Sequence, residues 1–360
     1  MSAYPTLKTI AKACDVSHVT VSRALRGEPG VRPETAQRIR EYAEEVGYKA
    51  NPVARSLVAG NSGPLTEGQP RAILIPYNKE WDHPDQQGVF WASVAGATEA
   101  AISSVHNIQL FGFNSRDDEF RRIRAVVEEG RVAGFLEFGL SEETMAYLDA
   151  KQVPVVSFVT NLEQFGSHRK ARVYADHVQG YVEAWRYLLG YGHRRIGFVG
   201  LKDRSGGTVS HIREILAAAQ FLTPVPALEP PVYIDDKASS EAIWETLVQA
   251  YGKKGSGRWP TAVFCTNDRM AHRFMIALLE HKMTIPHDLS IFGYGDFPSA
   301  RLSYPAMTTI GKPRKEIAAT MFRILENIIA GVPGSRSTVQ VLPMRLVERE
   351  SVHHLLAGRR

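Results

Sequence analysis

The chain has 360 residues, of which 44% are hydrophobic and 22% charged, so it can fill two or three cores and is not mainly disordered. It has no charged segment leading into an apolar stretch at its start and no run of eighteen apolar residues, so we expect a cytosolic rather than a secreted or membrane-spanning protein. Its two cysteines, Cys14 and Cys265, are too few and too far apart for a disulfide framework or a metal site. We expect both to be buried as small hydrophobic side chains.

The net charge of +5 is concentrated near the start of the chain. Residues 1–60 hold nine Lys and Arg against six Asp and Glu. A solvated charged face would by itself account for this surplus. The charge therefore indicates nucleic acid only together with the helical pattern of the same region.

Apolar residues recur at helical spacing in three short segments of the first fifty residues. The first segment covers residues 7–14, the second runs over 17–25 with Ser17 as its N-cap, and the third covers 33–47. A tight turn at Asp15 separates the first two, and aspartate tolerates turn geometry. Three helices of this length form a very small core, with the size and pattern of a helix-turn-helix DNA reader.

From about residue 70 the chain alternates strand-like apolar runs with helical stretches. The strand-like runs are AILIP, IQLFG, VAGFLEF, VPVVSFV, RIGFVG, TAVFC and LSIFG, and the helical stretches are 87–104, 116–129, 177–190 and 267–281. This alternation predicts doubly wound parallel sheets with a ligand crevice at the carboxyl ends of the strands. We predict two α/β halves that divide near residue 160, with a cleft between them.

The first part of the chain resembles the amino-terminal DNA-binding unit of the lactose-repressor (LacI/GalR) family. The resemblance is carried by IAKACDVSHVTVSRAL, VRPET, GY and NPVARSL, which follow one another in the family's order over about fifty-five residues. Further on, AWRYLLGYGHRRIGFVG, AVFCTNDRMA, DLSIFGYGDFPSA and YPAMTTI resemble the family's periplasmic-binding-protein-like domain. The resemblance implies an all-α helix-turn-helix domain in 1–50, a hinge helix and linker in 51–69, and an effector-binding and dimerisation domain in 70–360.

In this family the second helix enters the major groove of an operator. His18, Val19 and Arg23 would face base edges there, and the Arg23 guanidinium could pair with guanine O6 and N7. The resemblance places hydroxyls where family members contact phosphate, at Thr6, Ser17, Thr20, Ser22 and Thr35. Two arginines stand where the family usually has asparagine and serine, and they would add phosphate affinity or remain solvated: Arg26 and Arg32.

The hinge of this family becomes helical where two copies meet in the minor groove. Leu57 would wedge between base pairs, Ala54 would lie near the groove floor and Arg55 would reach phosphate. Without the motif that precedes it, the same stretch would be a flexible linker whose leucine docks on the next domain.

The resemblance also assigns the ligand cleft. Phe90 and Trp91 would line its amino-terminal wall, Arg213 would cross it, and Asn267 with Asp268 would begin a helix that faces the ligand. Each assignment has a structural alternative: Trp91 as a core residue, Arg213 as a surface residue and Asn267 as a helix N-cap.

Three departures from the family pattern bear on the ligand. Val159 and Gly295 stand where aspartates are common, and Arg273 replaces a glycine. Losing two acceptors while gaining positive charge favours an anionic, phosphorylated or acid-sugar effector over a neutral sugar. A cleft that binds nothing is equally compatible with these changes.

An enzyme is the rival class. GYGHRR and GYGDFP each lack the third glycine of a dinucleotide fingerprint, and no Walker loop, HExxH, CxxC or GxSxG occurs. We therefore expect no catalytic residues, no cofactor and no metal site. The preferred function is a transcription regulator, expected to be a repressor, that binds a palindromic operator as a homodimer under the control of a small molecule. The alternative is a stand-alone carbohydrate-binding protein without DNA regulation, which the fused DNA reader disfavours.

Overall fold

The computed structural model describes residues 7–26, 31–46, 71–78, 84–159, 170–201, 215, 217–220, 222, 227–235 and 237–356. The chain divides into two compact units, Met1–Gly63 and Pro64–Arg360. The predicted boundaries of the hinge and linker, at 51 and 69, lie outside the described residues and stay predictions.

The smaller unit contains the three predicted helices, α1 (Leu7–Ala13), α2 (His18–Arg26) and α3 (Pro33–Glu45). Ile10, Val21 and Ile39 are fully buried, one from each helix, and Cys14 is buried beside them. Asp15 adopts a left-handed conformation with φ of 49° in the turn between α1 and α2. The helical spacing of the sequence therefore predicted both the elements and the core of this unit.

The larger unit consists of two α/β halves. Its elements in chain order are β1 Ala72–Asn78, α4 Pro84–Ala100, β2 Ile108–Phe113, α5 Arg116–Glu128, β3 Val132–Glu137, α6 Glu142–Ala150, β4 Val155–Val159, β5 Arg172–Asp176, α7 His177–Gly190, β6 Arg195–Leu201, β7 Ala227–Ile234, α8 Ser240–Tyr251, β8 Ala262–Cys265, α9 Asp268–Glu280, β9 Ser290–Gly295, α10 Pro298–Leu302, β10 Thr308–Gly311, α11 Arg314–Ile329, β11 Val339–Pro343 and β12 Arg345–Val347.

Each half is built on a six-stranded sheet. The first has the order β11-β5-β4-β3-β1-β2 and the second β12-β10-β9-β8-β6-β7. Every pairing of the first sheet is parallel, and in the second only β12 is antiparallel, against β10. The predicted doubly wound parallel architecture is confirmed.

The prediction that the halves divide near residue 160 is wrong. Strands β5 and β11, which follow that point, both belong to the first sheet. Helix α11 also packs on the first half, against α4 and β3 to β5. The chain therefore passes between the halves after β5, after β10 and between β11 and β12, because β5 and β11 find their hydrogen-bonding partners at an edge that earlier strands left open.

One hydrophobic cluster extends through both halves. It includes Leu136 and Val173 of the first sheet, Phe264 and Phe292 of the second, and the fully buried Trp185 of α7. Cys265 is buried, and burial raises the pKa of its thiol. Among the described residues, no helix is long and apolar enough to cross a membrane.

Candidate nucleic-acid interface and ligand cleft

Helix α2 begins with a formed N-cap at Ser17. The Ser17 hydroxyl accepts a hydrogen bond from the backbone N–H of Thr20 at 3.1 Å and lies 2.8 Å from the Thr20 hydroxyl. This confirms the predicted cap, which satisfies one of the free N–H groups of the first turn. The first turn of α2 is thus held in place by the side chain that immediately precedes it.

Two arginines of α3 tie the ends of the other helices to it. Arg38 donates from Nη2 to the carbonyl of Cys14 at 2.9 Å, and Arg40 donates from Nε to the carbonyl of Ala24 at 3.4 Å. These carbonyls lie at the C-terminal ends of α1 and α2, where backbone acceptors lack helical partners. Much of the positive charge of α3 therefore has a structural role.

The remaining predicted DNA contacts fall into three groups. Arg23 and Arg32 are exposed, whereas Thr20 and Thr35 are half-buried. Four residues lie on α2 with side chains that the structure leaves undescribed: His18, Val19, Ser22 and Arg26. Four lie outside the described residues: Thr6, Ala54, Arg55 and Leu57. The DNA contacts of all of these residues stay predictions.

A cavity of about 770 Å³ opens in the larger unit, between the first turns of α4 and the second half. Its α4 wall is formed by Gly88, Val89 and Ala92, and the rest comes from the segment after β9, α10, the end of β10 and the residues that follow it, the start of α11, and β12. A Cβ on Gly88 would lie 2.6 Å from Pro298, so this glycine allows α4 to approach α10 closely. The volume falls in the range of small-molecule sites. We call it the cleft cavity.

The two aromatic residues predicted to line the cleft flank this wall rather than form it. Phe90 is 4% exposed and packs on Tyr77 with ring centroids 4.8 Å apart. Trp91 is 53% exposed, which excludes the alternative that it is a core residue. Its role against a ligand stays a prediction. Arg213 lies outside the described residues.

Asn267 and Asp268 both have structural partners. Asn267 caps α9 by accepting from the N–H of Met270 at 2.8 Å. Asp268 is fully buried and accepts at 2.7 Å from the Thr309 hydroxyl and at 2.7 Å from the N–H of Phe297. Burial raises the pKa of Asp268 to about 6. Asp268 thus joins α9 to β10 and to the segment after β9, and contact of either residue with a ligand stays a prediction.

Gly295 has a conformational reason for replacing an aspartate. Its φ is +126°, a backbone conformation that residues other than glycine rarely adopt. Its carbonyl accepts a hydrogen bond from Arg314 at 2.5 Å. Val159, the other lost acid, is buried at the end of β4 and pairs with Tyr174 of β5. The side chain beside Gly295 is therefore Arg314, which binds the backbone there.

Arg273 does not supply the positive charge that the sequence suggested for the cleft. Its guanidinium donates to the carbonyls of Asp235 and Ala238, and so ties α9 to the segment between β7 and α8. The charges that line the cleft cavity instead include Lys312 and Arg314, which sequence reasoning missed. The run GKPRKE after a strand-like TTI was the available signal, because the carboxyl end of a parallel strand borders the crevice.

The described residues contain no group of three or more His, Cys, Asp or Glu that could hold a metal ion. The charged lining of the cleft cavity contains more Lys and Arg than Asp and Glu, and Lys and Arg bind anions. Its arrangement suits non-covalent binding of an organic molecule with polar or charged groups.

Comparison with known proteins gives a family match within each of the two units. Residues 6–51 match the family described as bacterial regulatory proteins, lacI family, and residues 185–352 match the periplasmic binding protein-like domain. Catabolite control protein A of Priestia megaterium is 26% identical over 96% of this chain and 98% of its own length. The HTH-type transcriptional repressor PurR of Pectobacterium carotovorum is 27% identical over 96% of each.

Solved structures agree on the fold. The lac repressor dimer bound to operator and the anti-inducer ONPF superposes with a TM-score of 0.63 at 20% identity, over 97% of this chain and 99% of that one. The chain therefore joins a DNA-binding domain that matches the lacI family, at residues 6–51, to a periplasmic-binding-protein-like domain at residues 185–352.

Proposed function

We propose that two copies of this protein bind a near-palindromic operator in the cytoplasm and that a small molecule in the cleft changes the affinity for it. The observation that carries the proposal is the capped helix α2, with Arg23 exposed, in a lacI-family DNA-binding domain joined to a domain with a cleft cavity. One helix-turn-helix reads half a site, so a symmetric pair reads both halves. The protein acts by binding, without chemistry on its ligand.

The reading role of α2 is tested by Arg23→Ala. If Arg23 pairs with guanine, the variant loses about 1–3 kcal/mol of operator binding and relaxes the preference at one base pair of each half-site. Binding to a randomised DNA pool, followed by sequencing of the selected sites, measures both. Lys12→Ala, which removes an exposed charge from α1, is the matched control and keeps the base preference. An unchanged preference for Arg23→Ala means that Arg23 contacts only phosphate.

The hinge is tested by Leu57→Ala. A side chain that wedges between base pairs acts only in the deformed specific complex. The variant should therefore bind operator more weakly and bind non-specific DNA as before. Titration of both DNAs at one salt concentration makes the comparison, and an equal loss on the two would contradict the wedge.

The proposed second copy is supported by exposed apolar side chains on the second half. Leu302 and Tyr304 are 80% and 87% exposed, and Ser303 between them bonds His272 of α9 at 2.9 Å. Ile276 lies one turn beyond His272 and Leu279 follows three residues later, and both are exposed. We propose that these four exposed apolar residues belong to one face that two copies bury against each other.

This face is tested by Leu302→Asp. The change should shift the protein toward monomer in sedimentation-velocity runs, because burying an unpaired carboxylate opposes association. Val332→Asp, at another exposed apolar position, is the control and leaves the oligomeric state unchanged. A dimer that tolerates Leu302→Asp would exclude this face.

We further propose an anionic effector, because the sequence has lost two acids at Val159 and Gly295. Arg213, at its family position, would pair with the anionic group of the ligand. Thermal shift with phosphorylated sugars, sugar acids and neutral sugars should give a dose-dependent rise for a true effector. The rise should disappear in Arg213→Ala. A neutral sugar that binds best would overturn the anionic effector and leave the DNA-binding proposal intact.

A further inference from the structure

The cleft cavity carries more positive than negative charge. Its lining includes five cationic side chains and two carboxylates. The cationic residues come from α10, the end of β10, the start of α11 and β12: Arg301, Lys312, Arg314, Lys315 and Arg345. The carboxylates are those of Asp296 and Glu316.

Both carboxylates are already paired with arginines. Asp296 Oδ1 lies 2.6 Å from Nη2 of Arg349, and its Oδ2 lies 3.6 Å from Nη2 of Arg301. Glu316 Oε1 lies 2.6 Å from Nη2 of Arg345. The cavity's own acids are therefore engaged by three guanidinium groups.

Lys312 takes no part in these pairs with the cavity's acids. Lys315, its neighbour in the cavity, pairs with Glu99 at 2.6 Å. In the part of the chain that the structure describes, no hydrogen bond or ion pair of the Lys312 ammonium is found. Lys312 is only partly exposed, and its burial, followed by the charge of Arg314, lowers its pKa to about 7.

Arg314 is held close to Lys312 by the segment after β9. Its guanidinium donates to the carbonyls of Gly295 at 2.5 Å and Asp296 at 3.3 Å and lies 5.1 Å from the centre of the Phe297 ring. The backbone N–H of Arg314 also bonds the carbonyl of Lys312 at 2.8 Å. This arrangement keeps a permanent positive charge beside the lysine.

We propose that the cleft cavity binds an anionic group of its ligand, a carboxylate or a phosphate ester, through the ammonium of Lys312, with Arg314 adding to the attraction. The inference rests on the proposed ligand-binding function of the cavity and assigns the anion to a residue at the end of β10. A bound anion supplies the negative charge that the cavity lacks.

The site also has a characteristic pH dependence. An anion favours the protonated form of Lys312, so above pH 7 binding takes up a proton and weakens with rising pH. The charged groups that line the cavity together with Lys312 are Asp296, Arg301, Arg314, Lys315, Glu316 and Arg345. Comparison with Lys312→Arg, which keeps the positive charge, isolates the contribution of Lys312 to this dependence.

The first experiment measures binding to the full-length protein without DNA by calorimetry. The probes are D-gluconate, D-glucose 6-phosphate, inorganic phosphate and D-glucose. At least one sugar anion should bind more tightly than D-glucose, and Lys312→Gln should weaken it about tenfold or more. Lys282→Gln, at an exposed lysine after α9, is the control and binds as before. If inorganic phosphate is the only probe that binds, the cavity takes free phosphate rather than the anionic group of a larger ligand.

The second experiment follows the carboxylate probe between pH 6.5 and 8.5, where gluconate stays fully ionised. Its dissociation constant should rise up to about tenfold per pH unit above pH 7 and should be independent of pH in Lys312→Arg, which keeps its charge. Three outcomes would each overturn the proposal. D-glucose could bind more tightly than the sugar anions, Lys312→Gln and Lys282→Gln could lose the same affinity for the anion, or Lys312→Arg could show the same pH profile as the unchanged protein. Because DNA is absent, these outcomes do not depend on whether the protein binds an operator.

Discussion

The two units of this protein differ in how far apart in the sequence their important contacts lie. The smaller unit builds its core from three consecutive helices, and Ile10, Val21 and Ile39 supply one fully buried side chain from each. The cleft cavity of the larger unit joins Gly88 of α4 to Arg345 of β12. A small local core depends on each of its few side chains, whereas the larger unit divides its stability among many.

Buried polar groups show the same difference. Every buried polar or charged side chain among the described residues lies in the larger unit, from Asn78 to Ser351. One of them, Asp268, accepts hydrogen bonds from Thr309 and Phe297, which belong to distant elements. We therefore expect the smaller unit to respond to loss of apolar volume and the larger one to respond also to pH.

The largest expected effect is that of Ile39→Ala in the smaller unit. Removing a fully buried isoleucine costs about 2–5 kcal/mol, whereas a core of this size supplies only about 3–5 kcal/mol in total. The helix-turn-helix should unfold and operator binding should be lost. Limited proteolysis measures this as rapid cleavage within the first sixty residues while the larger unit persists.

The matched control is Ile291→Ala on β9, which is equally buried in the larger unit. The same local cost should leave that unit folded at 25 °C with a lowered melting temperature. If Ile291→Ala unfolds its unit and Ile39→Ala does not, the comparison between a local and a distributed core is wrong.

The next effect is a pH dependence that centres on His193. Its Nδ1 lies 3.0 Å from the Thr261 hydroxyl and its Nε2 lies 3.1 Å from the carbonyl of His353. Burial lowers the pKa of His193 to about 4. Between pH 6.5 and 4 the unfolded chain binds a proton that the folded chain does not, so stability falls as the pH falls, by up to about 3 kcal/mol.

Urea titrations of the protein and of His193→Gln at pH 7 and pH 4.5 isolate this contribution. The variant should be less stable at pH 7 and should lose less on acidification. Burial raises the pKa of Asp268 to about 6, so protonation of Asp268 stabilises the folded protein as the pH falls. This effect opposes that of His193, but it is the same in both proteins. Equal acid losses in the two proteins would exclude His193 as the cause.

The smallest expected effects are those of the two helix caps. Ser17→Ala and Asn267→Ala each remove a side chain that accepts from an N–H in the first turn, at a cost of about 1 kcal/mol. The shift in melting temperature should be larger in the smaller unit, because unfolding entropy scales with unit size. Differential scanning calorimetry measures both.

Asn267→Ala also tests a second role of that residue. If Asn267 is only a helix cap, the ligand raises the melting temperature of Asn267→Ala as much as that of the unchanged protein. If Asn267 contacts the effector, as the family resemblance implies, the ligand no longer raises the melting temperature of the variant. The outcome decides whether the cap at the start of α9 is also part of the cleft.

The sequence by itself determined the elements whose information is local. Helical spacing, Ser17 and Asp15 predicted α1 to α3 and the turn between the first two, and apolar runs predicted β1 to β4, β6, β8 and β9. Strands β5, β11 and β12 gave no comparable apolar run, and Val339 and Val341 of β11 remain exposed at a sheet edge. Their places depend on which edge the other strands leave open, which periodicity does not encode.

Only the tertiary structure decided how the charges of the cleft are used. Arg273 appeared in the sequence as added positive charge, and it binds backbone carbonyls. Asp268 appeared as a ligand contact, and both of its oxygens accept internal hydrogen bonds. Lys312 was missed in the sequence, and it lines the cavity while the acids there pair with arginines. The interaction between charges depends on distance and burial, and both are set by elements far apart in the chain.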